Sequence, residues 1–181
     1  MKIFYDGKTY EFDHPVSVLE VVGNDRSIIC AYVNKRVREL TYIVDRDSEI
    51  IALTSKDRDS KQAYESSLRF LVAMAMKKIH PYYHIRFSYN VSRCIFMQIL
   101  GPKHLCNLQL AKDLEKEMKE IVEADYPLIR SIVSKAEAAK VFEENDWQDK
   151  IDILAYRPEK TCHLYDCNGY KNYMYNRMVP S

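Results

Sequence analysis

The first fifty residues read as short apolar runs set between turn signals. Lys2 to Tyr5 and Tyr10 to Phe12 flank Asp6-Gly7, and Asp-Gly supplies the positive φ angles of a tight hairpin turn, so two strands open the chain. Ser17 can cap a short helix through Val18, Leu19 and Val21, because a serine hydroxyl accepts a backbone N–H left free in the first turn. Ile28 to Val33 and Ile50 to Leu53 are β-prone and are predicted as further strands.

The polar stretch from Thr54 to Gln62 interrupts this pattern and is taken as a boundary. It separates a first domain, residues 1–56, from a second, 63–181, with 57–62 as linker. The first domain's order, β-β-α-β-β, is that of a small ubiquitin-like roll, with one core face and one wet face suited to docking. The second domain opens on a helix from Ser60 to Ile79, in which Tyr64, Leu68, Leu71, Ala75 and Ile79 recur at helical spacing. Phe70, Val72, Met74 and Met76 widen the apolar surface, so this helix should be buried, and Pro81 ends it. His84 to Tyr89 and Cys94 to Leu100 are expected to pair about Asn90-Val91-Ser92. A second amphipathic helix follows through Leu110, Leu114, Met118 and Ile121. Leu128 to Val133 is predicted as a strand. Ser134 with Glu137 forms a capping box for a helix through Phe142, and Asp146 can cap another to Leu154. A last hairpin spans Thr161 to Tyr175 around Asn168-Gly169. The fold class is therefore α+β, a roll followed by a sandwich with a central buried helix on an antiparallel sheet.

Composition narrows the function. The 181 residues carry 27 Lys plus Arg against 26 Asp plus Glu, so binding to nucleic acid would need a local patch. No apolar run reaches membrane-span length, and the alternating, charged opening is unlike a signal peptide, which places the chain in the cytoplasm, away from membranes. Five cysteines without CxxC spacing are expected as reduced thiols. With glycine only at 7, 23, 101 and 169, neither the P-loop nor the dinucleotide-binding glycine pattern can be written, so ATP is not bound by those loops.

Three segments, Asp6–Val22, Ala31–Val37 and Ser48–Ser55, resemble the TGS domain at the front of threonyl-tRNA synthetases. Ser66–Pro81 through Tyr170–Ser181 is similar to the editing domain of those enzymes, also related to part of alanyl-tRNA synthetase. In that family two His separated by three residues stand on the central helix, and a Cys and a His recur near the last hairpin. Carried over, the helix pair falls on Ser66 and Phe70, the Cys and His on Met174 and Met178. The resemblance thus implies an editing fold without its donors, since Phe and Met neither move protons nor hold zinc in such a site.

Ser66–Phe70 followed by Ala75 to Pro81, and Tyr173-x-Tyr175-x-x-Met178-Val179-Pro180-Ser181, resemble more closely the N-terminal region of bacterial uridine-kinase-like proteins. That likeness implies a kinase domain beyond Ser181 as partner, and ATP and magnesium for that domain alone, with no cofactor in this chain. The expected role is a non-catalytic regulatory module that senses a nucleotide-like ligand, or RNA, in the old editing cleft. The cleft is assigned to Ser66, Arg69, Phe70, Tyr173, Met174, Arg177 and Met178.

Other constellations have simpler readings. Lys77, Lys78, Arg86 and Arg93, with Lys103 and His104, could form an RNA-binding patch interleaved with Tyr82, Tyr83, Phe87 and Tyr89. The simpler reading is strand-surface cations beside core aromatics. His80 and His84 flank Pro81, which breaks the helix that would align them on a metal. Cys162, His163 and Cys167 could serve an independent aminoacyl-ester hydrolase, but strand alternation sends Cys162 and His163 to opposite faces. No metal site and no catalytic residue are assigned.

Overall fold

The structure, a computed structural model, describes residues 1–92, 94–100 and 106–181. It is α+β, and it gathers into two compact units, one of Met1–Ser66 with Pro127–Pro180, the other of Ser67–Tyr126.

In the first unit β1 (Lys2–Tyr5) and β2 (Lys8–Glu11) form the opening hairpin. Asp6 and Gly7 both adopt positive φ in its turn, as the dipeptide predicts. β3 (Val16–Ser17) leads into α1 (Val18–Val22), where the Ser17 side chain accepts from the Glu20 N–H as a cap. β4 (Ile28–Val33), β5 (Arg36–Arg38), β6 (Ile43–Val44) and β7 (Ser48–Thr54) complete this part. A five-stranded sheet runs in the order β2-β1-β7-β4-β5, with β1 parallel to β7 and the other pairs antiparallel. Ile3, Val18, Ala31, Leu40 and Ile50 make its core. The hairpin β4–β5 is an addition to the predicted strands. Its turn is Asn34-Lys35, both at positive φ, a pair that lacks the glycine by which such turns are recognised.

Helix α2 (Arg58–Ile79) begins two residues before the predicted start, inside the stretch read as linker. Its buried positions include Ser60, Ala63, Ser66, Ser67 and Phe70, a face set beside the one that periodicity selects; Tyr64 is 52% exposed. Small side chains explain the difference. Ala63 packs with Ile29, Cys30 and Leu53 of the sheet, and only a small residue permits so close an approach.

The rest of the first unit is built from β10 (Ile129–Ser134), α4 (Lys135–Glu143), α5 (Gln148–Tyr156), β11 (Thr161–Cys167) and β12 (Tyr170–Tyr173), numbered after the three elements of the second unit that precede them in the chain. The order β10-β11-β12 is antiparallel throughout. The Ser134–Glu137 capping box forms as predicted, and Asn168-Gly169 turns the last hairpin at positive φ. Asp146 does not cap α5: it takes positive φ, and Trp147 stands at the cap without a side-chain bond. Ala138, Phe142, Leu154, Cys162 and Leu164 form the apolar layer between the two helices and this sheet.

The second unit holds the later turns of α2, the hairpin of β8 (His84–Val91) and β9 (Cys94–Leu100), and α3 (Leu108–Glu123), capped by Asn107. Ala75 and Met76 of α2 pack with Leu110, Leu114 and Ile121 of α3, flanked by Ile85, Met97 and Ile99 of the hairpin. Among the described residues no helix is long and apolar enough to cross a membrane.

Candidate functional site

Strand β11 is the middle strand of its sheet and is covered on both faces. Cys162 and Leu164 point into the apolar layer under α4 and α5, so His163 and Tyr165 belong to the other face. Register places Arg130 of β10 opposite Tyr165 and Ile132 opposite His163. On that face lies Glu39, 3% exposed. Its carboxylate accepts from the Tyr165 hydroxyl and pairs with Nε of Arg130 at 3.5 Å and Nε of Arg177 at 3.8 Å. A buried carboxylate is tolerable only with such partners. Burial and the Glu39 charge push the Tyr165 phenol well above its usual range, so it stays a donor.

Beside this cluster opens a cavity of about 480 Å3, lined among others by Arg130, Arg157, Arg177, His163, Tyr173 and Asp59. Arg157 lies over the Tyr173 ring at 5.3 Å and pairs with Glu159 at 3.4 Å. Asp59 accepts from the Tyr32 hydroxyl at 2.7 Å. Nδ1 of His163 is buried without a hydrogen-bond partner. Burial first, then the charges of Arg130, Arg177 and Arg157, hold this imidazole below its ordinary pKa. The wall is rich in donors and contains no thiol, which suits it to holding an anion.

Of the seven residues assigned to a cleft, Tyr173 and Arg177 line this cavity. Ser66, Phe70 and Met178 are buried, and Met174 is half-buried after β12. Arg69 lines a different hollow, of about 680 Å3, within the second unit among Leu71, Phe87, Met97 and Leu114. Sequence reasoning missed Arg130 and Arg157. The first stands on a predicted strand, but its neighbour Glu39 is 91 positions earlier, a distance that no local pattern spans.

In the cation patch, Lys78 is committed to Glu117 at 2.5 Å, and Lys77 donates to the Pro81 carbonyl at 3.0 Å. Arg86 is exposed on β8. Arg93, Lys103 and His104 lie outside the described residues. Cys162 and Cys167 are buried, and burial raises both thiols. Cys30 is pushed up to about 12, chiefly by burial. Such thiols stay protonated and unreactive. Among the described residues no group of three or more His, Cys, Asp or Glu is placed to hold a metal.

The chain is similar over nearly its whole length to threonine–tRNA ligases. It is 25% identical to that of Hahella chejuensis over 182 aligned positions, 97% of this chain and 28% of the relative. It is 26% identical to that of Burkholderia lata over the same shares, and to that of Marinobacter nauticus over 82% of this chain and 24% of the relative. The chain thus spans about a quarter of the length of these curated relatives. No protein-family model matches it.

Proposed function

We propose that this chain is a non-catalytic, ligand-binding regulatory region: a threonyl-tRNA synthetase-like editing fold that has lost its chemistry. In this reading residues 1–56 are a TGS-like docking module, 57–62 the joint, and 63–181 the editing-like part. The region belongs to a uridine-kinase-like parent, whose kinase domain is its partner, uses ATP and magnesium, and works in the cytoplasm. The similarity to threonine–tRNA ligases supports the synthetase-like part. The motifs at Ser66–Pro81 and Tyr173–Ser181 support the kinase parent.

One observation carries the loss of chemistry. The positions that the family resemblance gives to donors hold Ser66, Phe70, Met174 and Met178, and Phe70 and Met178 are only 1% and 0% exposed. Buried Phe and Met side chains cannot activate water or present a thiolate. The rival arrangement, Cys162 with His163, is split between two faces of β11, and its thiol is held protonated.

The test is deacylation of threonine tRNA mischarged with serine, with an active editing domain as control. The chain should leave the ester intact. Release at the control's rate would overturn the reading, and loss of that release in His163→Ala would then establish the hydrolase. The parent is tested by the mass of the native protein, detected with an antibody to this chain. A species well above 21.4 kDa that phosphorylates uridine is expected; one of that mass would sink the kinase reading.

A further inference from the structure

We propose that the arginine-lined cavity of the first unit binds a small phosphate monoester, with the phosphate held by Arg130, Arg157 and Arg177 and an organic part against the tyrosine wall. The proposal deepens the ligand-binding reading by naming the ligand's chemistry.

The charge arrangement is incomplete without an anion. Arg130 and Arg177 share a single carboxylate, Glu39, which leaves one positive charge of that pair uncompensated. Both approach it through Nε, and Nε of Arg177 also donates to the Val37 carbonyl at 3.4 Å; both side chains line the cavity. Arg157 meets Tyr173 on the cavity wall and pairs with Glu159, 58% exposed on its side chain, and an exposed ion pair is weak enough to be exchanged for a better one. Planar guanidinium groups match phosphate oxygens two at a time, and the resulting charge-assisted bonds are the strong class. Asp59 is the opposing charge on the wall. It is occupied by the Tyr32 hydroxyl and does not neutralise the arginines directly.

The cavity is too large for inorganic phosphate alone. Its volume of about 480 Å3 lies in the range of small-molecule sites, roughly 300–1,000 Å3. Tyr173 and Tyr175 line it, and Tyr175 is 85% exposed, so aromatic faces are at hand for a sugar or a base to lie on. The phosphate loops excluded by the glycine count are not needed, because side chains supply the donors that backbone N–H groups supply in those loops.

Titration of the whole chain with uridine 5′-monophosphate, ribose 5-phosphate, inorganic phosphate and uridine, followed by NMR, tests this. Uridine 5′-monophosphate should shift the His163 ring signals and raise that imidazole's pKa, because a bound anion favours the charged ring. Inorganic phosphate should bind about tenfold more weakly or worse, and uridine should leave the arginine and His163 signals unmoved. Ribose 5-phosphate binding as tightly as the nucleotide identifies a sugar phosphate as the ligand; weaker binding identifies a nucleotide. Arg157→Gln should weaken the nucleotide about tenfold or more, with Arg157→Lys between it and wild type. No shift at His163 with millimolar nucleotide, equal binding of uridine, or equal affinity in Arg157→Gln overturns the proposal. Ester release from mischarged tRNA would sink the non-catalytic reading without touching this one, and an empty cavity would sink this one alone.

Discussion

The hydroxyl of Tyr165 donates to the carboxylate of Glu39, across 126 positions of sequence. This bond ties the sheet of β10 to β12 to the loop after β5 inside a single unit, and it supplies Glu39 with a donor where water cannot. In Tyr165→Phe the carboxylate stays buried and loses that donor. The penalty for leaving a buried acceptor short is about 1–3 kcal/mol. Urea unfolding should therefore show a lower midpoint with an unchanged slope. An unaltered midpoint would mean that Arg130 and Arg177 alone satisfy Glu39.

Lys150 reports on the α4–α5 layer. Its ammonium sits 3.5 Å from the centre of the Trp147 ring and donates to Asn172 at 2.6 Å. Burial lowers its pKa to about 8. Below that pH the cation faces the indole, and above it the amine is neutral and the cation–π attraction is gone. Between about 8 and the ordinary 10.5 the unfolded chain binds the extra proton, so Lys150 adds stability as pH rises through that window. Trp147 is the only tryptophan, so its emission should change with a midpoint near 8 in wild type and stay flat there in Lys150→Met. A midpoint near 10.5 would contradict the burial.

What was legible in the sequence was local. Asp6-Gly7, Asn168-Gly169, the Ser17 cap and the Ser134–Glu137 box each act within four residues, and each formed. The face of α2 was not legible, because its packing is decided by small residues such as Ala63 against Cys30 and Leu53, and periodicity weighs a serine as polar wherever it falls. The cavity was half legible. Tyr173 stands in the last motif and Arg177 in the cleft assigned around it, whereas Arg130 and Arg157 are ordinary surface-type residues until strand pairing carries them beside Glu39 and Tyr173.

His163 should couple stability to acid. Facing it are Arg130, Arg157 and Arg177, with Glu39 the opposing charge, and the folded pKa lies below the ordinary 6.5. As pH falls through 6.5 the unfolded chain takes the proton first, so the contribution of neutral His163, full above that pH, is lost progressively down to the folded pKa. The thermal midpoint of wild type should fall over this range more steeply than that of His163→Gln, which has nothing to protonate. Equal slopes would show that the imidazole is solvated.

The last prediction concerns the second unit. Glu117 lies in the apolar stripe of α3, between Leu114 and Ile121 and three and four residues from each, where a leucine would be expected. Its side chain is 11% exposed, and Lys78 reaches it from α2 while remaining 60% exposed itself. The lysine keeps its head toward water and brings a charge to the buried end. Lys78→Met therefore leaves a carboxylate in an apolar stripe without its cation, and the thermal midpoint should drop. Lys78→Met with Glu117→Leu removes both charges and completes the stripe, so the midpoint should return to wild type or exceed it, because a buried pair is often replaceable by well-packed apolar side chains. If the double variant is no better than Lys78→Met alone, Glu117 is held by more than this lysine, and the stripe tolerates no leucine at that turn.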